Sequence, residues 1–350
     1  MSKNIRDTPV FLVLVLALLT IGCSAQTEEQ ALENLRSLTR DGQLPPENVV
    51  ADLEKRFAGK RTGALARLVH ARIRFEAGDA VGAAALLDTD VFRKKTRVAD
   101  EALWLRARAL EKAGNYADAV KAADDLVRDF PQSIRVRDAK LVWARSAIAS
   151  GRALEVPPQL IELSDGNDAD AMLVTAKAYE AQGSSPEAIR YYRRTYFYAA
   201  GSQQAQEAAA KLTSLGQSLD PQTADEQLAR ADRLAKAGNY ADAGKALDAL
   251  VLRFPSSLTA AVQLRRVVAY ANSGRMPDAA AALSSIPLTS KEREEGYRQL
   301  AIGYAKARQW PQARTTVDQM RAGFPTGSLV ARTLVDVGLA ARDEIGRAHV

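Results

Sequence analysis

The sequence predicts an all-α fold, a solenoid of stacked antiparallel helix pairs. Two stretches that begin 124 residues apart are nearly identical: AGNYADAVKAADDLVRDFPQS at 113–133 and AGNYADAGKALDALVLRFPSS at 237–257. Alanine, the strongest helix former, is abundant, while aromatic residues make up only 6% of the chain. A repeated phrase in an alanine-rich chain is typical of a helical repeat array, because one helix pair cannot bury its own apolar face.

The first 23 residues have the pattern of a secretory signal. Lys3 and Arg6 precede the apolar run VFLVLVLALLTIG, which leads to Cys23. The run is too short to span a bilayer comfortably as a helix.

The stretch LTIGC that ends at Cys23 resembles the lipobox of bacterial lipoproteins, with Thr20 in place of the usual leucine. The resemblance implies a signal peptide at 1–22, cleavage after Gly22 and lipidation of the Cys23 thiol. The residue after the cysteine is Ser24. An aspartate at this position would favour retention of the lipoprotein in the inner membrane. The resemblance therefore implies an anchor in the outer membrane with the chain on its periplasmic face. The alternative is a free periplasmic protein with a plain signal peptide.

A glycine followed five residues later by alanine recurs along the chain. We expect the glycine to end one helix in a left-handed cap, and the alanine to lie where the paired helices touch. The pairs are Gly78/Ala83, Gly114/Ala119, Gly183/Ala188, Gly238/Ala243 and Gly274/Ala279, with Arg308/Ala313 lacking the glycine and Gly151/Val156 a decayed copy.

Prolines and capping residues predict where the helices stop and start. Pro131, Pro255 and Pro325 each lie 17 residues after a turn position and are expected to end the second helix of a pair. Thr223 with Glu226, and Thr289 with Glu292, have the spacing of capping boxes that open first helices.

Consecutive turn positions lie 32 to 37 residues apart, except for an interval of 55 residues after Gly183. The pattern predicts a tether with helices at 23–59, a first array at 60–215, a joint at 216–225 and a second array at 226–344. The chain resembles the tetratricopeptide repeat family, above all through Ala107, Gly114, Tyr116, Ala119 and Pro131 and their counterparts Ala231, Gly238, Tyr240, Ala243 and Pro255. The resemblance implies a right-handed superhelix whose concave groove, lined by first helices, binds proteins or peptides.

Trp104, Arg108, Glu111 and Lys112 share the first helix before Gly114 and are candidates to line that groove. The alternative is a solvated helix face with one anchoring tryptophan. The aromatic stretch RYYRRTYFY at 190–198 suits either a stacking platform or helix packing, and its spacing favours packing.

Composition argues against several classes of function. One cysteine and two histidines exclude an internal disulfide and a metal site built from Cys/His clusters. The net charge of +6 is small and intermixed, which argues against nucleic acid as a partner. No catalytic motif is present, so we predict no catalytic residue, no metal and no cofactor.

The order of the parts resembles the non-catalytic helical region of soluble lytic murein transglycosylases, notably in EAIRYYRRTYFYAAGSQQAQEAAAKLTSLG and DEQLARADRLAKAGNYADA. Three roles follow: a lipid-anchored repeat scaffold for periplasmic or outer-membrane proteins or peptides, the N-terminal region of a peptidoglycan-cleaving enzyme, or an assembly lipoprotein similar to the repeat subunit of the β-barrel machinery. The terminal IGRAHV matches a frame of a common sequencing adapter, so 345–350 is expected to be an artefact.

Overall fold

The computed structural model describes residues 26–347, and within them every regular element is a helix, with no strand. The predicted all-α fold is confirmed. The predicted signal peptide and Cys23 lie outside the described residues. Contacts divide the chain into two units that meet between Ser146 and Ala147, and each unit is described separately.

The first unit contains helices α1 to α7 and most of α8, with a short 3-10 turn after α1. Each helix packs mainly on helices close to it in the chain, as in an array of hairpins. The helices are α1 (Glu28–Leu38), α2 (Glu47–Arg56), α3 (Arg61–Glu76), α4 (Ala80–Leu87), α5 (Val91–Lys95), α6 (Ala99–Lys112), α7 (Tyr116–Asp129) and α8 (Val136–Ala149).

The second unit continues the same arrangement, and 3-10 turns precede α9 and α15. Its principal hairpins pair α10 with α11, α13 with α14, α15 with α16 and α17 with α18. The helices are α9 (Val156–Asp165), α10 (Ala169–Ala181), α11 (Ser185–Tyr198), α12 (Gln203–Ser214), α13 (Ala224–Lys236), α14 (Tyr240–Arg253), α15 (Ala260–Asn272), α16 (Met276–Ser284), α17 (Lys291–Lys306), α18 (Trp310–Gly323) and α19 (Val330–Arg347).

One backbone turn closes the hairpins in both units. At Gly114 the turn residue has φ +77, and its N–H donates to the Glu111 carbonyl while the next N–H donates to Leu110. This pair of bonds is the Schellman motif, which satisfies carbonyls left open at a helix end. The same geometry recurs at Gly78, Gly151, Gly183, Gly238, Gly274 and Arg308. Arg308 adopts φ +59 although it is not glycine.

The residue five positions after each turn is buried. Ala83, Ala119, Ala188, Ala243, Ala279 and Ala313 are at most 2% exposed, as is Val156 after Gly151. These small side chains lie on second helices that pack against the first helix of the same pair. A larger side chain there would separate the two helices.

The three predicted stop prolines each follow a helix. Helices α7, α14 and α18 end just before Phe130, Phe254 and Phe324, which precede Pro131, Pro255 and Pro325. Each phenylalanine N–H still donates back to the preceding turn of helix, for example Phe254 to the Leu250 carbonyl at 2.8 Å.

The 55-residue interval after Gly183 contains one extra helix. Helix α12 lies between the hairpin of α10 and α11 and the hairpin of α13 and α14, and it packs on α10 and α11. It ends in another left-handed turn at Gly216. The longer interval is therefore explained by helix α12 and by the loop that follows it.

That loop is held in place by a buried arginine of α11. The Arg193 guanidinium donates to the carbonyl oxygens of Ser218 at 2.9 Å and Asp220 at 3.0 Å, and it pairs with the Glu226 carboxylate at 2.9 Å. The Arg193 side chain is 9% exposed, so these bonds compensate its loss of water. The residues 216–225, predicted as a joint, are thus fastened to α11.

One of the two predicted capping residues is correct. Thr223 caps α13 by accepting the Glu226 N–H, whereas the Glu226 carboxylate turns away to Arg193 and the Gln222 N–H. The prediction for Thr289 is wrong, because α17 begins at Lys291 with Ser290 as its cap residue. The Ser290 hydroxyl donates to the Glu292 carboxylate, which lies two residues after the cap. A capping box requires a carboxylate three residues after the cap.

We expect Gly238→Ala to destabilise the fold by about 1–2 kcal/mol, because a Cβ is strained at φ +80. Open space surrounds the position of the added Cβ, so the cost is conformational and not a clash. Gly338→Ala in the middle of α19 is the control, and it should stabilise by about 1 kcal/mol. Urea unfolding of both variants measures the difference, and equal effects would contradict the left-handed turn.

We expect Arg193→Ala to destabilise by about 3–5 kcal/mol, because it leaves the Glu226 carboxylate, 16% exposed, without its cation. The control is Arg190→Ala on the same helix, where an exposed pair with Glu187 contributes about 1 kcal/mol or less. Urea unfolding and limited proteolysis at 216–223 test this. Equal losses in the two variants would be inconsistent with the anchoring role of Arg193.

Candidate functional site

The candidate site is a groove in the first unit, between helices α3 and α6 and the residues that lead into α8. We call it the Trp104 groove. Its volume is about 180 Å³. The lining residues are Leu68, Val69, Arg72 and Glu76 of α3, Glu101, Trp104, Leu105 and Arg108 of α6, and Arg135.

Helical spacing explains why these side chains share one wall. Arg72 and Glu76 lie four residues apart on α3, and Trp104 and Arg108 lie four residues apart on α6, so each pair projects from the same face of its helix. The opposite face of α6 carries buried residues such as Ala107, which pack inside the hairpin. The groove is therefore the free face of two consecutive first helices.

Two arginines contact the tryptophan ring. The Arg135 guanidinium carbon lies 3.9 Å from the Trp104 ring centroid, and that of Arg108 lies 4.7 Å from it. Arg108 also lies 4.9 Å from the Phe75 ring, so its guanidinium is flanked by two aromatic rings. Cation–π contacts of this kind hold a cation in a fixed place without neutralising it.

The carboxylates near the groove differ in their partners. Glu101 pairs with Arg135, at 2.7 Å and 3.2 Å. Glu111 pairs with Arg145 at 2.6 Å, and it does not line the groove. Of the four candidates, Trp104 and Arg108 line the groove, Glu111 lies outside it, and Lys112 lies beside it, with its amine 5.0 Å from the Phe75 ring.

Polar contacts recur at the length of one repeat. In both units a side chain bonds to a group 33 to 35 residues away, which is its counterpart region in the neighbouring repeat. These pairs include Glu28–Thr62, Asp100–Ser133, Glu101–Arg135, Glu111–Arg145, Asp170–Gln204, Arg193–Glu226, Tyr196–Arg230, Asp232–Arg265, Asn272–Lys306 and Glu294–Leu329. We call this series the repeat ladder.

The aromatic stretch at 190–198 is packed into the second unit. Tyr191, Tyr192 and Phe197 are buried, and the Tyr192 hydroxyl donates to Glu180 at 2.6 Å. Burial, together with that carboxylate, raises the pKa of Tyr192 above its ordinary range. The rings of Tyr191, Tyr192 and Phe197 are therefore not accessible to a ligand, which agrees with helix packing.

His70 forms a cluster that the sequence did not reveal. It is buried on α3, and its ring nitrogens lie 2.8 Å from Glu54 and 3.0 Å from Glu47, both of α2. Arg67 and Arg74 bond to the same two carboxylates. The cluster joins α2 to α3 and has the satisfied bonds of a structural network.

A wider hollow of about 640 Å³ lies in the second unit, around the turns at 166–169 and 199–202. Helix ends and small residues make up much of its wall, with Arg233 and Lys236 at one side. Tyr198 also lines it, but among the described residues no arginine or lysine stacks on that ring, as Arg135 and Arg108 do on Trp104. The Trp104 groove is therefore the better candidate for recognition.

Two kinds of feature are absent among residues 26–347. Among its side chains we find no group of three or more His, Cys, Asp and Glu placed to hold a metal ion. Its helices include none with the length and apolar character needed to cross a bilayer.

Antiparallel hairpins that share one turn geometry and are linked at one-repeat intervals define a tetratricopeptide-like α-solenoid. Two family models described as tetratricopeptide repeats match this chain, one at residues 101–133 and one at 228–291. The chain thus carries tetratricopeptide repeats, which are scaffolds for protein–protein interaction. Among curated protein sequences, none is significantly similar to this chain.

Two solved structures are similar at low identity. The TPR2AB-domain:pHSP90-complex of yeast Sti1 is 16% identical, with 80% of this chain and 97% of that chain covered and a TM-score of 0.27. The TPR domain of P58(IPK) is 15% identical, with 91% and 99% covered and a TM-score of 0.29. The repeat assignment rests on the two family matches and on the hairpin geometry.

We expect His70→Ala to raise the pKa of Glu47. The His70 hydrogen bond, followed by that of Arg74, lowers this pKa from its ordinary value of 4.5. Because the folded-state pKa is depressed, the stabilising contribution is present above pH 4.5 and is lost as the pH falls through the lowered pKa.

A pH titration of the Glu47 carboxyl carbon by NMR measures this shift in the wild type and in His70→Ala. Arg74→Ala should also raise the pKa of Glu47, because the hydrogen bond and the charge of Arg74 lower the same pKa. An unchanged Glu47 titration in His70→Ala would show that the imidazole does not stabilise that carboxylate.

Proposed function

We propose that this protein is a lipid-anchored tetratricopeptide-repeat scaffold of the bacterial cell envelope, which holds protein partners in the periplasm. The Trp104 groove is the observation that carries the scaffold role. It is formed by the free faces of consecutive first helices, α3 and α6, and its lining contains a half-buried tryptophan and arginines, residue types that are enriched in protein interfaces.

The location rests on the N-terminal sequence. A basic start, a short apolar run and a single cysteine in a lipobox-like context support cleavage before Cys23 and acylation of its thiol. Acyl chains bury methylene groups in the bilayer and hold the chain at a membrane surface. A scaffold fixed in this way concentrates its partners at that surface.

The scaffold role is tested by crosslinking in intact cells that express the full chain, followed by purification and identification of the attached proteins. Reproducible capture of the same envelope proteins supports the role, and the absence of any would overturn it. Capture of peptidoglycan-cleaving enzymes or of outer-membrane assembly subunits would instead support one of the two alternative roles.

We expect the wild-type chain to incorporate labelled palmitate and to fractionate with the outer membrane of a bacterium that has two membranes. Cys23→Ser should abolish the label, because the thiol is the group to which the lipid is attached. Ser24→Asp is the matched control, and it should keep the label but move the protein to the inner membrane. Incorporation of label by Cys23→Ser, or its absence from the wild type, would refute the anchor.

A further inference from the structure

We infer that the Trp104 groove binds an acidic peptide segment of the partner, with carboxylates on Arg108 and Arg72 and an apolar side chain on the floor of the groove. This inference rests on the proposed scaffold function and specifies the chemistry of the partner. It is drawn from charge, aromatic contacts and volume at this one site.

Arg108 is the central residue. Its guanidinium carbon lies between the Phe75 and Trp104 rings, at 4.9 Å and 4.7 Å, and Phe75 is buried. Within residues 26–347 it has no carboxylate at ion-pair distance and no other polar partner. The two rings hold its planar fork in place, and a fork presented in this way suits a carboxylate, which it can bind through two parallel hydrogen bonds.

The surrounding charges favour an acidic ligand. In the described part of the chain, Arg72 on the facing helix and Lys112 one turn beyond Arg108 also lack a carboxylate at ion-pair distance. Glu101 is neutralised by Arg135. Three arginines against Glu76 and Glu101 leave the groove lining with a net charge of +1, and Lys112 beside the groove adds one more positive charge.

The floor and the volume indicate a peptide. Leu68, Val69 and Leu105 give the groove an apolar base beside the Trp104 ring. A volume of about 180 Å³ is less than the ~300–1,000 Å³ of a site that encloses a small ligand. Such a groove accommodates one or two side chains of a larger partner.

The same cations would attract phosphate, so nucleic acid is the competing ligand. Glu76 lies in the groove wall with no cation at ion-pair distance among the described residues, and it would repel a phosphate backbone. A peptide that alternates acidic and apolar side chains avoids this repulsion, since it places carboxylates only at the arginines.

The binding test uses fluorescence anisotropy with a fluorescein-labelled peptide, Gly-Ser-Glu-Leu-Asp-Glu-Leu-Asp-Ser-Gly, and the mature chain. The comparison probes are the same peptide with Gln and Asn in place of Glu and Asp, and a twelve-nucleotide oligothymidylate. We expect the acidic peptide to bind about tenfold or more tightly than its amide counterpart, with affinity falling as salt rises. Equal binding of the two peptides, no binding, or tighter binding of the oligonucleotide would overturn the inference.

Arg108→Gln should weaken binding of the acidic peptide about tenfold or more, and Arg72→Gln should weaken it in the same direction. Arg145→Gln is the matched control, because it removes the same charge from an arginine of the first unit that is already paired with Glu111. Circular dichroism verifies that each variant is folded. Equal losses in Arg108→Gln and Arg145→Gln would show an effect of overall charge and would overturn the inference.

The crosslinking experiment separates this inference from the scaffold role. If the wild type and Arg108→Gln capture the same envelope proteins in equal amounts, the scaffold role stands and the groove assignment fails. If the wild type captures none, the scaffold role itself fails. Loss of the captured proteins in Arg108→Gln but not in Arg145→Gln, together with selective binding of the acidic peptide, supports both.

Discussion

The fold depends on one constraint, which is the close approach of two helices joined by a three-residue turn. The turn requires a residue in the left-handed conformation, such as Gly114, and the approach requires a small side chain, such as Ala119, five positions later. The backbone bonds at the turn satisfy the open carbonyls, so the hairpin ends cost little to expose. Each hairpin still has an apolar face that it cannot bury alone, and this face drives the stacking of one pair on the next.

Stacking at a constant interval places equivalent positions of neighbouring repeats side by side. The repeat ladder follows directly, since a donor in one repeat meets an acceptor in the next about 34 residues away. The Trp104 groove has the same origin. Its two walls are equivalent faces of α3 and α6, and Arg135 reaches it from the start of the following repeat. A site of this kind is assembled from residues that are distant in sequence but regular in spacing.

Much of the fold could be predicted from the sequence, because the signals were local. The turn glycines, the alanines that follow them and the prolines after the second helices act within a single hairpin. The contacts of Phe75, Arg135 and His70 were not predicted. Each of these side chains contacts a residue of another helix, and a sequence pattern within one hairpin does not show such contacts. The 34-residue spacing of Glu101 and Arg135 was available and would have paired them. The cap of α17 was misplaced by one residue, since a serine and a threonine are adjacent there and local geometry decides between them.

The repeat ladder limits how the chain can change in length. Inserting one residue within a helix rotates the later side chains of that helix by about 100° around its axis and shifts them by about 1.5 Å along it. Such an insertion in α8 before Arg145 would turn Arg145 away from Glu111, whereas pairs whose two partners both follow the insertion keep their spacing. A whole helix, by contrast, is accommodated within the ladder, since Gln204 of α12 bonds to Asp170 and the pair Asp232–Arg265 follows in the next hairpin. Such a protein gains or loses length in complete structural modules.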